Sequence, residues 1–210
     1  MHKTYLGVVL GAAVLLLAGC SQPPKATSDD ADVKAQAPAG PPEPVTAKTA
    51  YWPMYMSART WTTDFVTLRL AEKEVPGFKN ENGKAAMWEA TFASPSQQEY
   101  RTYTYAIAAH PPDIYKGVVV GRGLPWGGVT RAAMPIQSSD FNVDSDAAYK
   151  AAATEAAAWL KKNPDKKLTT FELGNAYKYQ APVWYLMWGT KASGYAVFVN
   201  ASTGAIVKGK

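Results

Sequence analysis

Two short stretches near the carboxyl terminus decide the fold: Val183-Trp-Tyr-Leu-Met-Trp188 and Tyr195-Ala-Val-Phe-Val199. In the first stretch the large apolar side chains of Trp184, Leu186 and Trp188 stand at every second position. Because neighbouring side chains in a strand point to opposite faces, this spacing is typical of a strand with one buried face. A polar turn separates the two stretches, so we expect them to form an antiparallel hairpin.

The residues before this hairpin predict a helix and one more strand. Asp144-Ser-Asp146 is a cluster of helix N-cap residues, and the sequence after it is rich in alanine, the best helix former. Asn163-Pro164 ends the predicted helix, and residues 169–173 predict a strand. The predicted buried stripe of the helix consists of Tyr149, Ala152, Ala156 and either Trp159 or Leu160.

An earlier part of the chain repeats this pattern. Trp88-Glu-Ala-Thr-Phe92 shows the same alternation, and residues 100–108 predict its partner strand. A helix is predicted to begin near Ser57 and to end at Pro76-Gly77, from the helical spacing of Trp61, Phe65, Leu68 and Val75. We therefore predict an α+β fold of two helix-plus-antiparallel-hairpin units, produced by duplication, with each helix packed on one face of its strands.

The second of these units resembles the PepSY domain family. The resemblance lies in Pro182-Val-Trp-Tyr-Leu-Met-Trp188 and in the segment from Gly194 to Val207, where Asn200 replaces the usual Asp of a tight turn and Gly204 supplies its positive φ. It covers residues 144–210 well and residues 57–109 weakly. The resemblance implies cystatin-like units and an extracytoplasmic binding or inhibitory role, with no catalytic residues to carry over.

The amino terminus has the features of a secretion signal. Residues 1–19 contain a short basic start and an apolar stretch at 5–18, which is shorter than the ~20 residues that span a bilayer. Leu-Ala-Gly-Cys, ending at Cys20, resembles the lipobox of bacterial lipoproteins. This resemblance implies cleavage before Cys20, acylation of its thiol and, from Ser21, an outer-membrane location facing the periplasm. The alternative is a plain signal peptide with an incidental cysteine.

The remaining chain divides by composition. Residues 20–50 carry six prolines before residue 45 and no aromatic side chain, which predicts a disordered Pro/Ala-rich tether. All seven tryptophans follow residue 50. We assign residues 51–136 to the first unit and its Gly-rich connecting loop, and residues 137–210 to the second unit.

The sequence contains no recognisable catalytic or metal-binding motif, so we predict no enzyme activity and no cofactor. His110 is the one histidine outside the signal, and a zinc site needs several clustered ligands. Asp144 and Asp146 are better explained as helix caps than as calcium ligands with Asp140. The net charge of +5 is scattered, which argues against a nucleic-acid partner. A hydrolase with two converging carboxylates remains the enzymatic alternative.

Four aromatic residues are candidates for binding. Trp126 follows a predicted strand and lies in a Gly-rich loop whose spacing does not fit a phosphate cradle; it either anchors a partner or fills the gap between the two units. Tyr51, Trp52 and Tyr55 either pack on the first unit or form a peptide- or glycan-binding surface. We therefore predict a membrane-anchored, non-enzymatic module that binds an envelope protein, a peptide or a cell-wall component. A protease inhibitor or secretion chaperone is the narrower alternative.

Overall fold

The structure is a computed structural model that describes residues 42–208. Its helices and strands are α1 (Ala47–Trp61), β1 (Val66–Lys73), β2 (Met87–Ser94), β3 (Glu99–Ala106), β4 (Gly117–Val120), β5 (Leu124–Pro125), α2 (Ser145–Lys162), β6 (Leu168–Gly174), β7 (Val183–Trp188) and β8 (Tyr195–Asn200). Two short 3-10 turns lie at Ser138–Asp140 and Tyr177–Tyr179. The predicted second helix, its following strand and both hairpins are confirmed.

The strands form one antiparallel sheet in the order β4-β3-β2-β1-β6-β7-β8, and β5 pairs with β3 beside β4. The first strands after each helix, β1 and β6, lie side by side at its centre. Their register places Leu70 opposite Leu173 and Ala71 opposite Glu172. The two predicted units therefore share a single sheet.

Both helices cover the same face of this sheet, and they use the same spacing of buried residues. The buried positions of α1 that face the strands include Ala47, Ala50, Met54 and Ala58, and those of α2 are Ser145, Ala148, Ala152 and Ala156. The small side chains at most of these positions let the helices approach the sheet closely. The core beneath them is mainly aromatic and includes Trp88, Phe92, Phe171, Trp184 and Trp188.

The same indole hydrogen bond occurs once in each half of the molecule. The Trp88 Nε1–H donates to the carbonyl of Val45 at 2.9 Å, and the Trp184 Nε1–H donates to the carbonyl of Val143 at 2.9 Å. Each acceptor lies two residues before the start of a helix. Because a buried indole N–H needs a partner, these bonds fix how each helix enters the core.

Side chains at the amino-terminal end of α2 cap both helices. The fully buried Ser145 hydroxyl accepts the N–H of Ala47 at 2.9 Å and donates to the carbonyl of Gly83 at 2.6 Å. The Asp144 carboxylate accepts the N–H groups of Ser145 at 2.7 Å and Lys48 at 3.0 Å. The prediction that Asp144 is a helix cap is confirmed, and the cap serves two helices.

The predicted first helix, from Ser57 to Pro76-Gly77, is wrong. α1 lies earlier, at Ala47–Trp61, and the later residues form strand β1. A β-bulge between Thr67 and Arg69 interrupts the alternation of inward and outward side chains in β1. The apolar residues of this segment therefore have a spacing that resembles that of a helix.

The last residues of the tether predicted for residues 20–50 are folded instead. Val45 pairs with Ala85, and Ala47 and Ala50 are buried in α1. The first unit therefore begins before the predicted boundary at residue 51. The signal peptide and Cys20 lie outside the described residues. No helix within residues 42–208 combines the length and the apolar character that crossing a bilayer requires.

Candidate binding groove

The face of the sheet opposite α1 and α2 carries no α-helix of residues 42–208, and this helix-free face holds a chain of ion pairs at its centre. Arg69 on β1 contacts Glu172 on β6 at 2.6 Å and Glu89 on β2 at 3.2 Å, and Lys73 contacts Glu89 at 3.0 Å. These side chains are partly exposed, so their net stabilisation is modest. The carboxylates of Glu89 and Glu172, on the central strands, are therefore both paired with cations.

A segment connecting the two halves, residues 126–136, forms a wall beside this face. The Met134 N–H donates to the carbonyl of Asn175 at 2.9 Å, beyond the end of β6. The Ile136 N–H donates to the carbonyl of Thr67 at 2.8 Å, at the start of β1. These backbone bonds fix the segment against the two central strands.

A groove runs between this wall and the sheet, and it has two adjoining parts. The first part, about 500 Å³, is lined mainly by apolar and aromatic groups, among them Leu68, Tyr100 and Trp126. The second part, about 710 Å³, lies over β6, β7 and β8. Glu172 and Asn175 line both parts, so the two parts adjoin each other.

Aromatic rings form the floor and one side of the second part. Tyr185 and Phe198 stack with ring centroids 5.0 Å apart, and Tyr179 lies 5.0 Å from Phe198. Burial raises the pKa of the Tyr185 phenol, the charge of Glu172 adds to the rise, and the charge of Lys178 opposes it. The Tyr185 hydroxyl therefore stays protonated and can donate a hydrogen bond into the groove.

Three cations surround these rings: Arg131, Lys178 and Lys191. The Arg131 guanidinium lies 4.3 Å from the centroid of Tyr177, and the Lys178 ammonium lies 4.5 Å from that of Tyr179. Such contacts hold a cation in place without neutralising its charge. None of the three forms an ion pair with another described residue.

The structure separates the four residues predicted as binding candidates. Trp126 lines the groove, where it is half-buried, and its backbone N–H donates to the carbonyl of Gln98 at 2.8 Å. Tyr51 belongs to α1 and is buried against the sheet, with its hydroxyl 2.7 Å from that of Thr67. Tyr55 packs against the core, and Trp52 is 58% exposed on α1, on the other side of the sheet.

The aromatic floor was not predicted from the sequence. Tyr185 and Phe198 occupy the outward positions of strands whose inward positions are large and apolar. Their aromatic character could have indicated a binding surface, because the outward positions of a sheet that is covered on one face are usually polar. Arg131, Lys178 and Lys191, in contrast, belong to separate segments, so no local sequence pattern indicates that they lie in one groove.

A second cleft, about 850 Å³, lies at the far end of β1, and Glu72, Glu74 and Glu81 are among its lining residues. Burial raises the pKa of Glu72 to about 7, and the neighbouring Glu74 carboxylate adds to the rise. The cleft also contains three lysines: Lys79, Lys166 and Lys167. Within residues 42–208, no three His, Cys, Asp or Glu side chains lie close enough together to hold a metal ion.

Comparison with known proteins gives one distant structural similarity. No protein-family model matches the sequence, and no curated protein is significantly similar to it. The crystal structure of a "putative lipoprotein" from Clostridium difficile 630 is similar, with a TM-score of 0.48 and 11% sequence identity, over 81% of this chain and 94% of that chain. The resemblance to PepSY domains therefore stays a prediction.

Proposed function

We propose that this protein is a lipid-anchored, non-enzymatic binding module of the bacterial envelope, and that its ligand lies in the groove on the helix-free face. The observation that carries the proposal is this groove, whose two adjoining parts lie over the central strands and contain several aromatic side chains. Concave, largely apolar sites with a few polar groups are the usual form of binding sites. A protein, a peptide or a cell-wall fragment can enter it from solvent.

The anchor in this proposal is an acylated Cys20, placed at the outer membrane and facing the periplasm. It rests on the lipobox-like Leu-Ala-Gly-Cys and on Ser21. Two or more acyl chains give stable membrane attachment. Mass spectrometry of the amino-terminal peptide, purified from membranes, is expected to show acyl mass on Cys20. An unmodified cysteine in that peptide would remove the anchor from the proposal.

A matched pair of aromatic substitutions tests the groove. Trp126 lines the groove, whereas Trp52 is exposed on α1 on the opposite face. Peptides are selected from a random octapeptide library on the full chain in detergent, and their affinities for both variants are measured. Trp126→Ala is expected to weaken binding about tenfold or more, or roughly 1.4 kcal/mol, and Trp52→Ala to leave it unchanged. Equal affinities in both variants, or loss only in Trp52→Ala, would contradict the proposal.

A PepSY-type protease inhibitor or secretion chaperone is the narrower form of the same proposal. Its support is the repeated order of one helix and three strands, with the same indole hydrogen bond in each half. This repetition favours a duplicated PepSY-like unit. Inhibition is tested by following proteolysis by envelope proteases with and without the full chain. Proteolysis that is equally fast in both cases would argue for general binding.

The second candidate function is a carboxylate-dependent hydrolase in the Glu72 cleft. A carboxyl group with a pKa of about 7 next to a second carboxylate is suited to general acid catalysis at neutral pH. On the helix-free face the corresponding pair, Glu89 and Glu172, is neutralised by Arg69 and Lys73. The test is hydrolysis of peptidoglycan fragments by the full chain and by Glu72→Gln. Turnover by the unchanged protein that Glu72→Gln abolishes would favour this candidate.

A further inference from the structure

We propose that the second part of the groove binds the carboxylates of an acidic peptide in an extended conformation; this inference rests on the groove being the binding site. Three observations carry it: the unpaired cations, the way in which aromatic rings hold two of them, and the dimensions of the groove.

The charge of this part of the groove is unbalanced. Arg131, Lys178 and Lys191 have no acidic partner among the described residues, and the carboxylate at the floor, Glu172, is bound to Arg69 at 2.6 Å. A ligand that brings carboxylates can therefore form ion pairs without breaking any that exist. All three cations are exposed, so they are solvated in the free chain, and a ligand without negative charge would gain no ion pair from them.

Two of the cations are held in position before any ligand arrives. The Arg131 guanidinium stacks on Tyr177, and the Lys178 ammonium lies 4.5 Å from the Tyr179 centroid and 5.8 Å from that of Phe198. The Tyr177 N–H also donates to the carbonyl of Arg131 at 3.0 Å, which ties their two segments together. Cations that are already ordered lose less side-chain entropy when an anion binds.

The same contacts favour a peptide over a sugar chain. Sugar recognition needs open ring faces and side chains that can pair with hydroxyl groups. Here cations cover faces of Tyr177 and Tyr179. The Asn175 amide already donates to the carbonyl of Pro135 at 2.7 Å, and Glu172 is bound to Arg69. The three cations and the hydroxyl donor of Tyr185 remain available, and this combination suits carboxylates.

The groove has the length of a short extended peptide. Its lining residues run from Tyr100 on β3 to Phe198 on β8, which is a path across β3, β2, β1, β6, β7 and β8. Five gaps between neighbouring strands span about 24 Å, and an extended chain of about seven residues covers that distance. The apolar part beside Trp126 then takes the uncharged end of the peptide, and the cationic part takes its acidic end.

The test uses a defined probe and a matched charge control. The probe is a fluorescent octapeptide with four apolar residues followed by four glutamates, and its counterpart has four glutamines. Binding to the full chain in detergent is measured by anisotropy for the unchanged protein, for R131A/K178A/K191A and for K150A/K161A/K162A. The control removes the same charge from α2, on the other face of the sheet.

We expect the glutamate peptide to bind at least tenfold more tightly than the glutamine peptide, and this difference to shrink as salt is raised. R131A/K178A/K191A should lose the difference, and the α2 variant should keep it. Equal affinity for both peptides, equal loss in both triple variants, or binding of an oligouronate but not of the glutamate peptide would overturn the inference. If both peptides bind equally and Trp126→Ala weakens both, the groove stands as the binding site and only the charge assignment fails.

Discussion

Replacing Glu72 by glutamine is expected to stabilise the protein at pH 8 and to change little at pH 5. Glu72 lies opposite Trp88 in the register of β1 and β2, on the face that the helices cover. None of the ion pairs among residues 42–208 involves its carboxylate. Burial raises the pKa of Glu72 to about 7. Ionisation of this group is therefore more costly in the folded chain than in the unfolded chain.

The sign and the size of the effect follow from the two pKa values. Between pH 4.5, the ordinary pKa of the side chain, and pH 7, the unfolded chain has lost this proton and the folded chain has kept it. The free energy of unfolding therefore falls as the pH rises through this window. The full difference corresponds to about 3 kcal/mol. Glutamine resembles the protonated carboxyl and cannot ionise, so Glu72→Gln avoids this loss.

The assay is urea unfolding followed by tryptophan fluorescence at intervals from pH 5 to pH 8. Besides Glu74, the titratable groups that face the Glu72 cleft are Lys79, Glu81, Tyr149, Lys166 and Lys167. Their own titration is common to both proteins and cancels in the comparison. Glu155→Gln, on the exposed side of α2, is the control for removing one negative charge. A stability difference between Glu72→Gln and the unchanged protein that stays constant from pH 5 to pH 8 would refute the reasoning.

Three further predictions concern other parts of the fold. Ser145→Ala leaves a buried N–H and a buried carbonyl without their partner, so we expect a loss of about 2–4 kcal/mol and a Tm lower by roughly 5–15 °C in thermal melts, with exposed Ser193→Ala unchanged. Trp88→Phe and Trp184→Phe should each cost roughly 1–3 kcal/mol in urea unfolding, and the two losses should agree within about 1 kcal/mol, because both remove the same indole hydrogen bond. Hydrogen bonds from two hydroxyls and a backbone N–H hold the pKa of Asp64 well below its usual range. Asp64→Asn should therefore lower the Tm at pH 7. The Tm difference between the two proteins should shrink as the pH falls below 3.8, because protonation of the carboxylate then costs the folded chain the stabilisation from these hydrogen bonds.

The second half of the fold could be predicted because its signals are local. Alanine content and the Asp144 cap define α2, and large side chains at alternate positions define β7 and β8. In each case the residues that form the element also contain the pattern that identifies it. The β2–β3 hairpin was predicted for the same reason.

The first helix was missed because its pattern is interrupted. Pro53 lies inside α1, and proline both lacks an N–H and disfavours the helix interior. Contacts with the sheet compensate for that cost: Met54 and Ala58 are fully buried. In β1 the bulge places Leu68 in the groove, whereas Leu70 lies in the core, and Glu72 occupies an inward position. The bulge and the inward glutamate together remove the alternation of apolar and polar residues that identifies a strand.

The groove could be predicted only in part, because tertiary contacts assemble it. Trp126 was a candidate on the sequence, since a tryptophan between glycines has few neighbours to bury it. Arg131, Lys178 and Lys191 are far apart in the sequence and meet because the connecting segment bonds to the residues that follow β6. No short-range pattern contains that information.

The asymmetry of the groove has its origin in the connection between the two halves. The two helix-and-three-strand halves are nearly symmetric about the pair Ala71 and Glu172, because β1 and β6 lie antiparallel at the centre, followed outward by β2 and β3 on one side and by β7 and β8 on the other. Strands β4 and β5 lie beside the first half alone. Two equal halves would offer a ligand the same surface twice. The segment at 126–136 occurs once, and it brings Trp126 to one part of the groove and Arg131 to the other. In the proposed complex an extended peptide would meet apolar groups at one end and cations at the other, so the connecting segment would give the ligand a single direction of binding.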